Sequence, residues 1–158
     1  LIQEATTRIM DPMNLKRIAL LKELAAEKGG VENASMSELM RIFLKPLLMP
    51  EMVGSNPALL TKLAAKFVIS QDSVIPESTL QIYRETLVSY VKAFYVKLPH
   101  MSPEDIRERL VFTSGAALQH FMLAPMAAAL TGEESNIDRE VLLNHIIDFT
   151  LNGFSLQK

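Results

Sequence analysis

Two stretches decide the fold: VFTSGAALQHFMLAPMAAAL at Val111–Leu130 and VLLNHIIDFTLNGF at Val141–Phe154. Each repeats apolar residues at three- and four-residue steps, which is the period of an α-helix. A helix lying on the surface of a globular domain carries one apolar stripe about 100° wide and turns its other side to water. These two carry more. In the first, the strongly polar side chains are Gln119 and His120 alone. In the second, Leu142, His145, Ile146 and Phe149 form one set, while Leu143, Ile147 and Phe154 lie round the helix from it. One set can pack inside the domain, and the other then needs a second partner. The simplest partner is another copy of the same chain.

Working outward, capping signals divide the rest of the chain into further helices. Ser102, with Pro103 behind it, caps the helix that holds Val111–Leu130, and Met101 is spaced to staple onto Ile106. Asp138 caps the last helix, with Ile137 spaced to staple onto Leu142. Upstream, Leu80, Tyr83, Leu87, Tyr90/Val91, Phe94 and Leu98 recur at helical spacing over about five turns. Asn56-Pro57 opens a helix through Leu60, Leu63, Ala64 and Phe67. Ser35 and Glu38 form a capping box ahead of Leu39, Met40, Phe43, Leu44 and Leu47, with Pro46 near the end. Asp11-Pro12 offers a further start, with Leu15, Ile18, Leu21 and Ala25 as its stripe and Gly29-Gly30 as its stop. Residues Leu1–Met10 read as earlier turns of that element, kinked at Pro12. No strand is legible. The expectation is an all-α domain over residues 1–158, of about six helices in an orthogonal or antiparallel bundle, whose last two helices form a four-helix-bundle dimer interface.

Bulk properties narrow the function classes. The 158 residues are 49% hydrophobic and 22% charged, with a net charge of −2, which suits one domain with a substantial core and not a disordered chain. Lys and Arg are scattered, so no basic face stands ready for nucleic acid. The absence of cysteine removes disulfides and thiolate chemistry, and fits a cytoplasmic protein. The longest apolar run, Phe121–Leu130, is half of the roughly 20 residues a membrane span needs and is interrupted by Pro125.

Chemistry is sought and mostly not found. His100, His120 and His145 are far apart and none stands in a metal-binding spacing. No nucleophile elbow and no phosphate-cradling glycine loop occurs, so neither catalysis, a metal nor a cofactor is expected. What remains is an apolar pocket. Met40, Phe43, Leu44, Leu47, Phe67, Tyr83, Leu87, Tyr90, Phe94, Phe112 and His120 fall on candidate inward faces of the middle helices, with Phe121 beside them. Tyr83 and Tyr90, seven residues apart, project on one side of their helix. Ligand pockets combine an apolar lining with a few such polar groups. The same stripe is equally what an ordinary solid core looks like, and both readings stand at this point. The ligand expected from that lining is small and apolar, with one or two polar groups.

Several strings then point to a family. NLKRIALLKELAAEKG (Asn14–Gly29), ELMRIFLKPLL (Glu38–Leu48), SPEDIRERLVFTSGAALQHFM (Ser102–Met122) and IDREVLLNHIIDFTLNGF (Ile137–Phe154) occur in an order that resembles the C-terminal ligand-binding and dimerisation domain of the TetR family of bacterial transcriptional regulators. The individual motifs are diffuse, and their order carries the likeness. The resemblance implies a homodimeric effector sensor, a repressor released from DNA by a small apolar molecule, with no enzymatic activity. It implies pairing through the last two helices. Ser114, Gly115, Ala116 and Ala117 would allow close approach there, and Leu118, Phe121, Met122, Leu143, Ile147 and Phe154 would fill the seam. The family's helix-turn-helix head is not in this sequence, which also lacks an initiator Met. The expectation is therefore a chain that starts partway through a longer protein and meets operator DNA only through that absent head. A helical interaction module with no small-molecule ligand is the alternative.

Overall fold

A computed structural model describes residues 2–56, 58–60, 75–132 and 137–155, and side chains for all of these but 2–6, 122 and 155. The described residues form five long α-helices and no strand: α1 (Ile2–Lys28), α2 (Met36–Leu48), α3 (Glu77–Lys97), α4 (Pro103–Thr131) and α5 (Arg139–Ser155). Short 3-10 turns follow α1 at Val31–Asn33 and α2 at Pro50–Val53. The all-helical expectation holds. The helix expected from Asn56-Pro57 falls mostly outside the described residues, as does Phe67. Its opening is visible, with the Asn56 side chain accepting from the Leu59 amide at 2.9 Å.

Local chemistry fixes the helix starts. Ser35 Oγ accepts from the Glu38 amide at 3.1 Å while the Glu38 carboxylate accepts from the Ser35 amide at 2.8 Å, so two orphan donors are satisfied reciprocally. Lys28, in the last turn of α1, pairs with the same Glu38 at 2.6 Å. That ammonium, together with the Ser35 bonds, holds the Glu38 carboxyl down at about 2. Ser102 caps α4 through the Asp105 amide at 3.1 Å, and Asp138 Oδ1 accepts from the Glu140 and Val141 amides at 2.9 and 3.2 Å. α4 stops at Gly132, whose φ of +70° carries a left-handed cap that a side chain would strain.

Pairing directions follow from which side chains meet. Thr7 meets Thr79, Thr86 meets Asn14, and Tyr90 meets Arg17. Both numbers rise together, so α1 and α3 run parallel, in steps of seven and then three or four residues. Arg41 reaches Glu140 and Asn144 while Lys45 reaches Glu140. There one number rises as the other falls, so α2 and α5 run antiparallel. α2 lies at the centre, packed against α1, α3, α4 and α5. Its buried face is Leu39, Met40, Phe43, Leu44, Leu47 and Leu48.

Two faces differ from expectation. On α1 the buried stripe is Ile9, Met13, Arg17 and Leu24, and Leu15 is exposed. On α5, Leu143, Ile147 and Phe154, expected in a seam between chains, are buried within this chain's own core, and Phe149 is 77% exposed. Ala117 of α4 is likewise internal. A two-sided apolar helix has no polar side to fix its rotation, so the neighbours decide: here α2 and α3 take up Leu143 and Phe154, and Phe94 stacks on Phe154 at 5.7 Å. Threonines buried in helices are satisfied by back-bonding to the preceding turn: Thr86 to Ile82, Thr113 to Arg109 and Thr150 to Ile146, at 2.7 to 2.8 Å.

α4 bends by 49° between its arms Pro103–Phe121 and Leu123–Thr131. The cause is Pro125, which has no N–H for the Phe121 carbonyl and whose ring crowds it. Among the described residues no single helix is long and apolar enough to cross a membrane.

Leu143→Ala is expected to cost about 2–5 kcal/mol of unfolding free energy, the range for emptying a fully buried leucine site. Urea denaturation followed by circular dichroism measures it, and a loss under about 0.5 kcal/mol would return Leu143 to the surface.

Candidate functional site

The polar centre of the molecule is the junction of α1, α2 and α3. Arg17 enters it from α1 and is 2% exposed. Its Nε donates to the Phe43 carbonyl at 2.7 Å, Nη1 donates to Asn14 Oδ1 at 3.2 Å, and the guanidinium lies 4.3 Å above the Phe43 ring. Asn14 is held in turn by donating to the Met10 carbonyl at 2.9 Å. Pro46 lacks the amide that would otherwise bond the Ile42 carbonyl in the following turn of α2. From α3, the Tyr90 hydroxyl donates to the Arg17 carbonyl at 2.9 Å, and the Tyr90 ring tilts against Phe43 with centroids 5.0 Å apart.

Electrostatically this is an unusual place for a cation. Burial lowers the Arg17 pKa to about 10, and among the described residues the groups that oppose this shift are the phenols of Tyr90 and Tyr83 and no carboxylate. It therefore remains a guanidinium at neutral pH. Burial pushes the Tyr90 phenol up, against the opposing effect of Arg17, so the tyrosine stays neutral. Nη2 of Arg17 has no hydrogen-bond partner among the described residues. A buried ion costs several kcal/mol to desolvate unless all its donors are met.

The residues expected to line a pocket separate into groups. Met40, Phe43, Leu44, Leu47, Tyr90 and Phe94 are brought together in one buried cluster, with Leu87 partly buried against it. Tyr83 is half-buried and close enough to act on Arg17. His120 is half-buried and meets Phe121 edge-on at 6.3 Å. Phe112 does not point inward. It is 70% exposed, because Leu110 and Thr113 take the buried positions on that turn of α4. Arg17 and Asn14 were missed. Arg17 stands in register with Ile9, Met13 and Leu24, and that register was the available signal.

A second feature lies on the far side. Phe112 of α4 and Phe149 of α5 flank one groove of about 500 Å³, with Ala116 and Asn152. Arg109 reaches the Gly153 carbonyl beneath them and sits 5.4 Å from the Phe154 ring. Along α4 the exposure continues through Leu123, Met126 and Leu130, and on α5 through Val141. Gly115 is exposed, and a methyl group added there would meet no atom of its own chain. Ser114, Leu118 and Phe121 are half-buried, and the Met122 side chain lies outside the described residues. Among the described residues no cluster of three His, Asp or Glu side chains could hold a metal ion.

Fold and site define a class: an all-helical domain with an aromatic-lined polar centre and an apolar two-helix face. Residues 41–153 match the family model described as tetracyclin repressor-like, C-terminal domain. The match spans more than two thirds of the chain, and the chain belongs to the TetR-like C-terminal domain family. It begins inside α2, so α1 and Arg17 lie outside it. No curated protein and no solved structure gives a match.

Tyr90→Phe removes one buried hydrogen bond between α3 and α1 and leaves the ring contact with Phe43. It is expected to lower stability by about 0.5–1.5 kcal/mol. An unchanged unfolding midpoint would show that this bond does not hold α1.

Proposed function

We propose that this chain is the effector-sensing and homodimerising part of a cytoplasmic TetR-like transcriptional regulator, acting as a repressor whose hold on operator DNA is released by a small ligand. The observation that carries the reading is the pairing of two faces in one molecule. The α4–α5 surface offers Phe112, Phe149, Met126 and Leu130 to a partner, and the α1–α2–α3 junction offers aromatic and polar groups to a ligand. Covering each of the two exposed phenylalanines stabilises the pair by about 1.5–3 kcal/mol, and a two-fold arrangement would do so for both copies. The seam of this proposal is therefore built on Phe112, Gly115, Ala116 and Phe149, with Ser114, Leu118, Phe121 and Met122 at its edge. Leu143, Ile147 and Phe154 support it from below.

In this reading DNA-binding heads attached ahead of α1 are set by the angle of that helix. Half-sites in successive major grooves lie about 34–36 Å apart, so a small pivot of α1 misplaces them. The ligand shifts the equilibrium only by its preference for one position of α1 over the other. α1 is tied to α2 and α3 by Arg17, Asn14 and Tyr90, and those ties are what a ligand in the junction would change.

Native mass spectrometry tests the reading. The chain is expected as a dimer and the Phe149→Glu variant as a folded monomer, because a carboxylate would be buried unpaired in the seam. A monomeric wild type, or a dimer indifferent to F149E, would sink the α4–α5 interface. A reproducible small-molecule mass on the dimer supports sensing. A bare dimer that binds nothing from an acid and alcohol panel would instead favour the plain interaction module.

A further inference from the structure

Arg17 has a property that neither dimerisation nor an apolar pocket explains. It is a guanidinium held in the core that, among the described residues, has no carboxylate partner and leaves one nitrogen, Nη2, unpartnered. Holding α1 against α2 does not require a charge. Replacing a buried ion by a well-packed apolar residue is often neutral or stabilising, so a methionine could serve that purpose at lower cost. The rest of the group is fixed. Nε is bound to the Phe43 carbonyl, Nη1 to Asn14, and the plane rests on the Phe43 ring. Little side-chain entropy remains to be lost when a further acceptor arrives.

We propose that the effector of this domain is an amphiphilic acid, and that Arg17 Nη2 receives its carboxylate at the α1–α2–α3 junction. The inference rests on the effector-sensing reading and gives it a substrate class. A carboxylate matches the planar fork of a guanidinium and supplies the missing counter-charge in a setting of low dielectric. The neighbouring buried face of α2, with Met40, Leu44 and Leu47, and the rings of Tyr90 and Phe94 suit an apolar tail or ring behind the acid. Because Arg17 is 2% exposed, an anion reaches it only if α1 parts from α2 or α3. Occupation of the site and displacement of α1 are then one event, which supplies the difference in affinity between two positions of α1 that signalling requires.

The test is a thermal-shift and calorimetric comparison on the intact chain, using straight-chain carboxylates from hexanoate to tetradecanoate and the alcohols of the same lengths. At least one acid is expected to bind and raise the melting temperature, about tenfold to hundredfold more tightly than its alcohol, the range of one charge-assisted hydrogen bond. Arg17→Met is expected to abolish that preference while leaving the weak response to the alcohol. Arg17→Gln gives the same reading should R17M not fold. Acids and alcohols binding alike, or an acid preference that survives both substitutions, would overturn the carboxylate site and leave the effector-sensing reading standing. No response to either series would overturn both.

Discussion

A guanidinium enclosed where no carboxylate among the described residues reaches it constrains its surroundings, because its donors depend on acceptors in the fold itself and one of them, Nη2, finds none. Arg17 finds the Phe43 carbonyl on α2 and Asn14 on its own helix, and its backbone carbonyl takes the Tyr90 hydroxyl from α3. The links to Phe43 and Tyr90 set how α1 lies on α2 and α3. They also explain the parallel contact of α1 with α3, in which Thr7–Thr79 and Asn14–Thr86 continue the same register towards the start of both helices. The outer two are hydroxyl contacts at 3.4 Å, weak beside the bonds made by Arg17 and Tyr90. The stronger polar ties of α1 to α2 and α3 are therefore gathered at the level of Arg17.

The other half of the molecule is organised by an excess of apolar surface. α4 and α5 pack Ile106, Leu110, Ala117, Leu143, Ile147 and Phe154 into the chain's own core and still expose Phe112, Met126, Leu130 and Phe149. Exposed apolar residues scattered singly need no explanation, whereas a run of them along two adjoining helices does. The bend at Pro125 aims the second arm of α4, with Met126 and Leu130, in a different direction from Phe112. The apolar face is thus longer than a straight pair of helices would present, and it turns a corner.

How much of this was legible depended on whether the deciding physics was local. Ser35, Ser102 and Asp138 were readable as caps because a cap is settled within four residues of chain. The rotation of α5 was not, because Leu143 and Phe149 are equally apolar and only the neighbouring helices separate them. Phe112 was misplaced for the same reason. Arg17 was hidden by a sound prior, since arginine is almost never fully buried unless paired. Its register with Ile9, Met13 and Leu24 was present in the sequence, but the more apolar alternative through Leu15 and Ile18 outcompeted it. The parallel pairing of α1 with α3 has no local signal at all.

The division between family and chain falls in an informative place. The matched region, from Arg41 onward, contains Phe43, Tyr90, α4 and most of α5, while Arg17 and Asn14 belong to the unmatched stretch before it. One acceptor that holds the cation, the Phe43 carbonyl, is thus part of the family's domain, while the cation and its other acceptor, Asn14, come from outside it, on α1. A signal between those two parts needs a contact whose energy depends on their relative position. A buried ion is well suited to this, since its desolvation penalty makes the free energy steep in any direction that removes an acceptor. Apolar contacts along α1 and α3 change more gradually with displacement, because they scale with area removed from water. The packing of α1 is accordingly most sensitive to displacement at Arg17, where the loss of one acceptor would leave a buried charge unmet.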